Sequence, residues 1–277
     1  MADKIFDQIG DWSQVKLEII KEYAEFYTGL LNKFKLFHVY IDAFAGGGKH
    51  VLRETGEVIS GSPENALKLE PRFKEYHFID LNPQKIESLK SISRNYNNVH
   101  IYHNDCNKVL LDEIFPELKY EKYMRALCIL DPYGIDIDWS VLREAGKKGI
   151  IDVFINFSIM DMNRNVLRDV LEKSDQKQID RFNKFWGDTS WQKMAYTGQG
   201  NLFAGEDRIK TADNQAIVEA YRTRLKEVAG FKYVATPVPM VNKIDKVVYY
   251  LLFASQKQVA NKLATHLFKK HHKIRIK

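Results

Sequence analysis

Short apolar runs alternate with amphipathic segments through the first part of the chain. The apolar runs have the length of buried strands, and the segments between them carry apolar residues at helical spacing. Alternation of this kind predicts a mostly parallel sheet with helices on both faces. The predicted strands are 37–42, 76–80, 99–102, 126–131 and 150–157, and the predicted helices are 12–33, 83–95, 108–115 and 139–146.

The pattern changes after residue 157. Residues from about 160 to 212 predict an α-helical insertion, within which the stretch 197–208 predicts a flexible loop. A helix over 213–228 then precedes two strands, 233–239 and 246–253, whose connection is too short for a crossover helix, so the strands must be antiparallel. We therefore predict one α/β domain over 1–277, with a Rossmann-like, mostly parallel sheet closed by an antiparallel C-terminal hairpin.

Composition narrows the class of protein. With 277 residues, 45% apolar and 28% charged, the chain is typical of globular proteins rather than disordered or membrane proteins. Two cysteines, Cys106 and Cys128, make neither a disulfide framework nor a metal site. The N-terminus lacks the order of charged and apolar residues found in signal peptides, so we expect a cytoplasmic protein.

The positive charge is concentrated at the C-terminus. The net charge is +6, and the segment 256–277 carries seven basic residues and no acidic one, which leaves −1 for the rest of the chain. This basic helix or tail has two interpretations: a site for RNA or DNA phosphates, or a solvated helix end whose lysines suit the helix dipole. The basic residues are Lys257, Lys262, Lys269, Lys270, Lys273, Arg275 and Lys277.

Aspartates stand at the ends of four predicted strands: Asp42, Asp80, Asp105 (just past its strand) and Asp131. Ligands of open α/β sheets lie across the carboxyl ends of the strands, so these carboxylates share one edge. The first strand continues into a glycine-rich loop, 43–48, that lets a ligand approach the backbone. This arrangement predicts a nucleotide-cofactor pocket, although each aspartate alone is also typical of a turn.

The sequence of this loop differs from two phosphate-binding motifs. A P-loop requires Gly-x-x-x-x-Gly-Lys-Ser/Thr, but Ala43 and His50 occupy its first and last positions. A dinucleotide fingerprint requires a third glycine where the chain has Val51. Neither motif fits, and a degenerate nicotinamide site is the alternative that remains.

The segment Asp131-Pro132-Tyr133-Gly134 ends the fourth predicted strand. Proline at the second position and glycine at the fourth are typical of a β-turn, which is the structural interpretation. In the functional interpretation, the segment binds the molecule that receives a methyl group. Asp131 and a backbone carbonyl would accept hydrogen bonds from an exocyclic amine of that molecule, and Tyr133 would stack on the ring that carries the amine.

Several of these segments together resemble the three-Cys-motif partner protein family: 40–46, 61–63, 130–134 and 249–255, with a likeness that spans roughly Trp12 to Phe268. The resemblance implies a class I S-adenosylmethionine (SAM)-dependent methyltransferase fold and a companion protein with a three-cysteine motif. The 131–134 segment is also similar to the Asp-Pro-Pro-Tyr signature of adenine-N6 methyltransferases, but it lacks the second proline and its tyrosine comes one residue early.

A SAM cofactor gives each candidate a role. Asp42 would accept from the ammonium group, Asp80 from both ribose hydroxyls, and Asp105 with its neighbour Cys106 would meet the adenine amine. The loop residues Phe44, Ala45, Gly46 and Gly48 would approach the rest of the cofactor, and Ser62 would cap a helix near its carboxylate.

We therefore predict direct in-line methyl transfer to a nucleobase or other nucleic-acid component, with Asp131, Pro132 and Tyr133 at the acceptor. The alternatives are a non-catalytic SAM- or nucleotide-binding subunit of the three-cysteine companion and a nucleic-acid-binding module with a vestigial pocket.

Overall fold

The computed structural model describes residues 6–201 and 205–274. Within them the main sheet has eight strands, in the order β11-β13-β8-β7-β2-β5-β6 with β12 also paired to β13. The strands are β1 (Asp7–Ile9), β2 (Phe37–Asp42), β3 (Lys49–Leu52), β4 (Val58–Ser60), β5 (Glu75–Asp80), β6 (Val99–His103), β7 (Met124–Leu130), β8 (Ile151–Phe157), β9 (Tyr196–Asn201), β10 (Gly205–Lys210), β11 (Tyr233–Val234), β12 (Val238–Val241) and β13 (Val247–Ser255).

The helices lie on both faces of this sheet. They are α1 (Asp11–Lys33), α2 (Ser62–Leu67), α3 (Pro83–Ile92), α4 (Cys106–Lys108), α5 (Phe115–Glu117), α6 (Trp139–Lys148), α7 (Ile159–Asn165), α8 (Gln176–Trp186), α9 (Ser190–Ala195), α10 (Asn214–Glu227) and α11 (Gln258–Ile274). A π-helical stretch, Val109–Ile114, joins α4 to α5. None of the described helices is long and apolar enough to cross a membrane.

Apolar residues on the two faces of the central strands build two cores. In β2, Val39 and Ile41 pack with α6 and the insertion, whereas Tyr40 between them packs with α1, α2 and α11. All seven residues of β8 are buried. Strands covered on both faces read as continuous apolar runs, which explains why the sequence predicted them well.

The strand directions confirm the predicted fold class. Strands β6, β5, β2, β7 and β8 are parallel, and β13 enters antiparallel beside β8. Between β2 and α2 the chain forms an antiparallel hairpin of β3 and β4, and β1 adds a parallel strand to β3. The carboxyl ends of β2, β5 and β7 consequently meet at one edge.

Three details differ from the sequence prediction. The insertion is not wholly helical, because 197–208 contains the antiparallel pair β9 and β10 rather than only a loop. The predicted strand 233–239 is two short strands, β11 and β12. The N-cap of α2 is Gly61 and not Ser62, so Pro63 occupies the second helical position. Proline fits either early position, since neither needs its N–H.

Candidate functional site

Two cavities open at the carboxyl edge of the sheet. The outer cavity, of about 470 Å³, lies over β5 and β6 and is lined by residues that include Asp80, Leu81, Asn104, Asp105 and Cys106. The inner cavity, of about 220 Å³, lies over β2, β7 and β8 and includes Gly46, Ser62, Asp131 and Pro132. Phe44 and Tyr133 line both, so the two cavities adjoin at these rings.

Asp80 is fixed at the end of β5 by backbone donors. Its Oδ1 accepts from the Asn82 N–H at 2.8 Å, and its Oδ2 accepts from the Gly46 N–H at 2.9 Å. Each carboxylate oxygen has a second lone pair, which remains available to a ligand hydroxyl. The Gly46 N–H therefore holds Asp80 across the edge, while Gly46 itself lines the inner cavity.

Two other loop residues serve the fold instead of a cavity. Gly48 has a φ of +81°, and a Cβ there would lie 2.3 Å from Cδ1 of Ile92, so glycine is required for packing against α3. Ala45 is buried, and its N–H donates to the Ile79 carbonyl at 3.0 Å. The close approach of these residues to a cofactor is thus not supported.

Asp42 lies at the end of β2 and is only 1% exposed. Burial raises its pKa to about 7, while the Ser62 hydroxyl acts in the opposite direction and the charge of Asp131 adds to the rise. Its Oδ1 accepts from the Phe44 N–H at 3.3 Å, but its Oδ2 has no hydrogen-bond partner among the described residues. A buried carboxyl oxygen without a partner is costly, and because Asp42 lines neither cavity, a bound water fits this position better than direct contact with a ligand.

Asp105 and Cys106 lie at the far end of the outer cavity. Asp105 caps α4, because its Oδ1 accepts from the Lys108 N–H at 3.2 Å, and its Oδ2 is left for a ligand donor. Burial raises the pKa of the Cys106 thiol to about 12. A thiol of this kind is a neutral wall residue and not a nucleophile.

Asp131 is engaged from two sides in the inner cavity. The Lys16 ammonium of α1 forms a short ion pair with its Oδ2, and Nδ2 of Asn156 in β8 donates to its Oδ1 at 2.8 Å. The same Nδ2 donates to the Pro132 carbonyl at 3.3 Å. Burial alone would lower the pKa of Lys16, but Asp131 and Tyr249 reverse this, and the net shift is upward. Lys16 is thus a permanent cation beside the predicted acceptor carboxylate.

Tyr133 is held between the two cavities by its hydroxyl. That hydroxyl donates to Oδ2 of Asp7 at 2.5 Å and accepts from Nζ of Lys85 at 3.2 Å. The pKa of Asp7 is lowered: burial would raise it, and the hydrogen bonds from Lys85 and Tyr133 outweigh that effect. Tyr133 is therefore held against β1 and α3 and lines both cavities, although 76% of its surface is exposed.

Four residues in this edge were missed by sequence reasoning. Lys16 shares a helical face with Ile19, Ile20 and Tyr23, and a lysine on an apolar face was a signal that could have been read. Asn156 lies near the carboxyl end of β8, so the reasoning that was applied to the strand-end aspartates could also have identified it. Asp7 and Lys85 had no comparable signal, because their partner Tyr133 is distant in sequence.

Comparisons with known proteins agree with this fold. No protein-family model and no curated protein sequence matches the chain. A structure from Legionella pneumophila, described as belonging to the DUF519 family, is 13% identical, with 92% of each chain covered and a TM-score of 0.53. The N-methyltransferase NodS from Bradyrhizobium japonicum, solved with S-adenosylhomocysteine, is 11% identical over 90% of this chain and 89% of that one, with a TM-score of 0.43.

The likeness to the Legionella structure shows a shared fold, and the strand order identifies which fold it is. A parallel sheet with the order β6-β5-β2-β7-β8, extended by an antiparallel β13, separates a methyltransferase sheet from a dinucleotide-binding one. The chain has the Rossmann-like fold of class I methyltransferases.

Proposed function

We propose that this protein is a SAM-dependent methyltransferase that acts on an exocyclic amine of a nucleobase. The observation that carries the proposal is the pair of adjoining cavities, with a diol acceptor, Asp80, in the outer one and an amine acceptor, Asp131, in the inner one. A cofactor that spans the boundary at Phe44 would bring its reactive group toward Asp131.

The described residues fit SAM. Asp80 offers both oxygens to a ribose, Asp105 offers Oδ2 to the adenine amine, and Leu81, which is 66% exposed, offers an apolar surface to the adenine ring. Oδ2 of Asp42 is the unsatisfied acceptor that the ammonium group, or a water bound to it, would complete. When bound, SAM supplies an electrophilic methyl group on a sulfonium.

The protein's own contribution is to orient the acceptor amine. The acceptor amine would donate its two hydrogens to Asp131 and to Oδ1 of Asn156. The Asn156 oxygen is buried and has no hydrogen-bond partner among the described residues. These bonds would direct the nitrogen lone pair toward the methyl group. Lys16 acts as a positioning residue that fixes Asp131 through the ion pair.

A proton must leave the nitrogen after transfer, and His50 is the proposed acceptor. It lines the inner cavity, and its Nδ1 has no partner among the described residues. Burial lowers the pKa of His50, and the charge of Lys16 lowers it further, so the imidazole is neutral at pH 7 and able to accept.

The path of α11 supports a nucleic-acid substrate. Lys270 and His271 of α11 contact Glu22 of α1, whereas the start of α11 lies beside the C-terminal half of α1, so the two helices are antiparallel. Helix α11, which ends at Ile274, therefore runs toward the end of α1 that carries Lys16. Side chains beyond His271, including Lys273 and Arg275, lie outside the described residues.

The test incubates the protein with methyl-labelled SAM and, separately, with RNA, DNA and free nucleosides, followed by digestion and mass spectrometry. We expect a methylated base, and we expect Asp131→Asn to reduce transfer by at least about a hundredfold while S-adenosylhomocysteine binding stays within a few-fold. Asn156→Leu, which leaves the Lys16 ion pair in place, should also lose transfer. The control is Asp180→Asn, the same change at an exposed carboxylate of α8.

Cofactor binding without transfer to any acceptor would instead support the non-catalytic subunit. Failure to bind the cofactor would leave only a nucleic-acid-binding module.

A further inference from the structure

A third cavity, of about 480 Å³, lies at the opposite edge of the sheet. We call it the amino-edge groove: it lies between α1 and α11, above the amino ends of β7 and β8, and its walls include Tyr27, Leu31, Ile150, Ala260 and Leu263. Strand β7 begins beside this groove and ends at the proposed acceptor site. Seven residues of strand span about 20 Å, so the groove is remote from the methyltransferase site.

The groove continues into an exposed apolar stripe. Phe26 and Leu30 of α1 and Phe34, the residue directly after it, follow one another at intervals of four residues, with exposed fractions of 61%, 42% and 64%. Val259 of α11 is 60% exposed across the groove. Contiguous apolar surface of this kind marks an interaction site.

The charged residues that line the groove, Arg125, Lys257 and Asp152, carry one net positive charge. Arg125 and Lys257 are its cations, and Lys257 directly precedes α11, where the helix dipole adds positive potential. The carboxylate in the wall, Asp152, is buried and accepts from Tyr23 at 2.8 Å and from Ser255. A ligand with apolar side chains and carboxylates at its edges is complementary to this arrangement.

The shape of the groove favours a helical ligand. Two antiparallel helices form its walls, and the stripe from Phe26 to Phe34 extends about 12 Å, or two helical turns. An amphipathic helix would place apolar residues at i, i+4 and i+8 along that stripe, as in helix-in-groove recognition.

We propose that the amino-edge groove docks an amphipathic helix of a partner protein, with its apolar face against Phe26, Leu30 and Val259 and acidic residues facing Arg125 and Lys257. Because the groove is remote from the carboxyl edge, this interaction is independent of the proposed methyl transfer.

The probe is a pair of fluorescent synthetic peptides about five helical turns long with the same leucine stripe. One peptide carries glutamates beside the stripe and the other carries lysines at the same positions. By fluorescence anisotropy with the full chain, we expect the glutamate peptide to bind at least about tenfold more tightly than the lysine peptide. Lys257→Glu should narrow or reverse that preference.

Phe26→Asp should abolish binding of the glutamate peptide. The matched control is Ile244→Asp, the same kind of change at a residue that is 70% exposed in the β12–β13 turn, which should leave binding unaltered. Equal affinity for the two peptides, no binding, or equal loss in the two Asp variants overturns the proposal. So does a dimer in sedimentation experiments that Phe26→Asp dissociates, because the groove would then join two copies of this chain.

Discussion

Asp42→Asn tests whether the site contains a carboxyl group that destabilises the fold. The pKa of Asp42 is about 7 in the folded protein, against 3.8 as the ordinary value that applies when the chain is unfolded. Between these values the folded state binds more protons than the unfolded state, so stability falls as pH rises. Below pH 3.8 Asp42 makes no such contribution, and above pH 7 the destabilisation is complete.

The magnitude follows from the difference between the two pKa values. Each pKa unit corresponds to about 1.4 kcal/mol, so ionised Asp42 costs about 4 kcal/mol above pH 7 and about 2 kcal/mol at pH 5. Asparagine keeps the shape and removes the charge. The free energy of unfolding should therefore increase on Asp42→Asn by about 2 to 3 kcal/mol more at pH 8 than at pH 5.

Urea denaturation followed by tryptophan fluorescence at pH 5 and pH 8 measures this difference. Asp152, whose pKa burial raises to about 6, titrates in both proteins and cancels in the comparison. The exposed Asp180→Asn change should show no pH-dependent gain. A gain for Asp42→Asn that is equal at both pH values, or larger at pH 5, would refute the assigned pKa. The variant should also bind SAM more weakly, since a carboxylate acceptor for the ammonium is lost.

Three further outcomes follow from the contacts at the carboxyl edge. Tyr133→Phe removes the hydroxyl that bonds to both Asp7 and Lys85 but leaves their direct ion pair at 2.7 Å in place. Amide exchange in β1 should therefore increase, while the unfolding free energy falls by no more than about 1.5 kcal/mol. Unchanged exchange would show that the hydroxyl does not hold β1. Arg181 of α8 contacts Asp136 at 2.7 Å and Asp161 at 2.9 Å, beside Gly134. Arg181→Met should slow methyl transfer at least about tenfold without altering cofactor affinity, because it removes the contacts that fix the segment around Gly134. An unaltered rate would show that the insertion does not contribute to the site. If the basic tail contacts phosphates, replacing Lys269, Lys273 and Arg275 with glutamine should reduce the slope of log affinity against log salt by about two. Lys270 is left unchanged because it is paired with Glu22. An unaltered slope would make the tail a solvated helix end.

The strands of the central sheet could be predicted from the sequence because short-range residue patterns determine them. The parallel strands are buried on both faces, so their apolar runs and terminal aspartates could be read directly, as Asp80 and Asp131 show. Gly48 was assigned to the ligand because a glycine-rich loop does not reveal which glycine faces a neighbouring helix. The β9–β10 pair was missed because its glycine-rich sequence is typical of loops.

Long-range contacts were beyond sequence reasoning. Lys16 contacts Asp131, which is 115 positions away in the sequence, and Asp7 contacts Tyr133, which is 126 positions away. Helical spacing places Lys16 on the buried face of α1, but the partner depends on how α1 crosses the sheet. The companion protein with a three-cysteine motif, the cytoplasmic location and the single-domain organisation stay predictions.

The central claim is that the outer cavity binds the adenosine part of SAM through Asp80. Calorimetric titration of the full chain with S-adenosylhomocysteine tests it most directly, with Asp80→Ala and Asp131→Asn measured alongside. We predict one site per chain, at least about a tenfold loss of affinity for Asp80→Ala, and a change within a few-fold for Asp131→Asn. No heat of binding to the folded wild-type protein, or an affinity that Asp80→Ala leaves unaltered, would contradict the account.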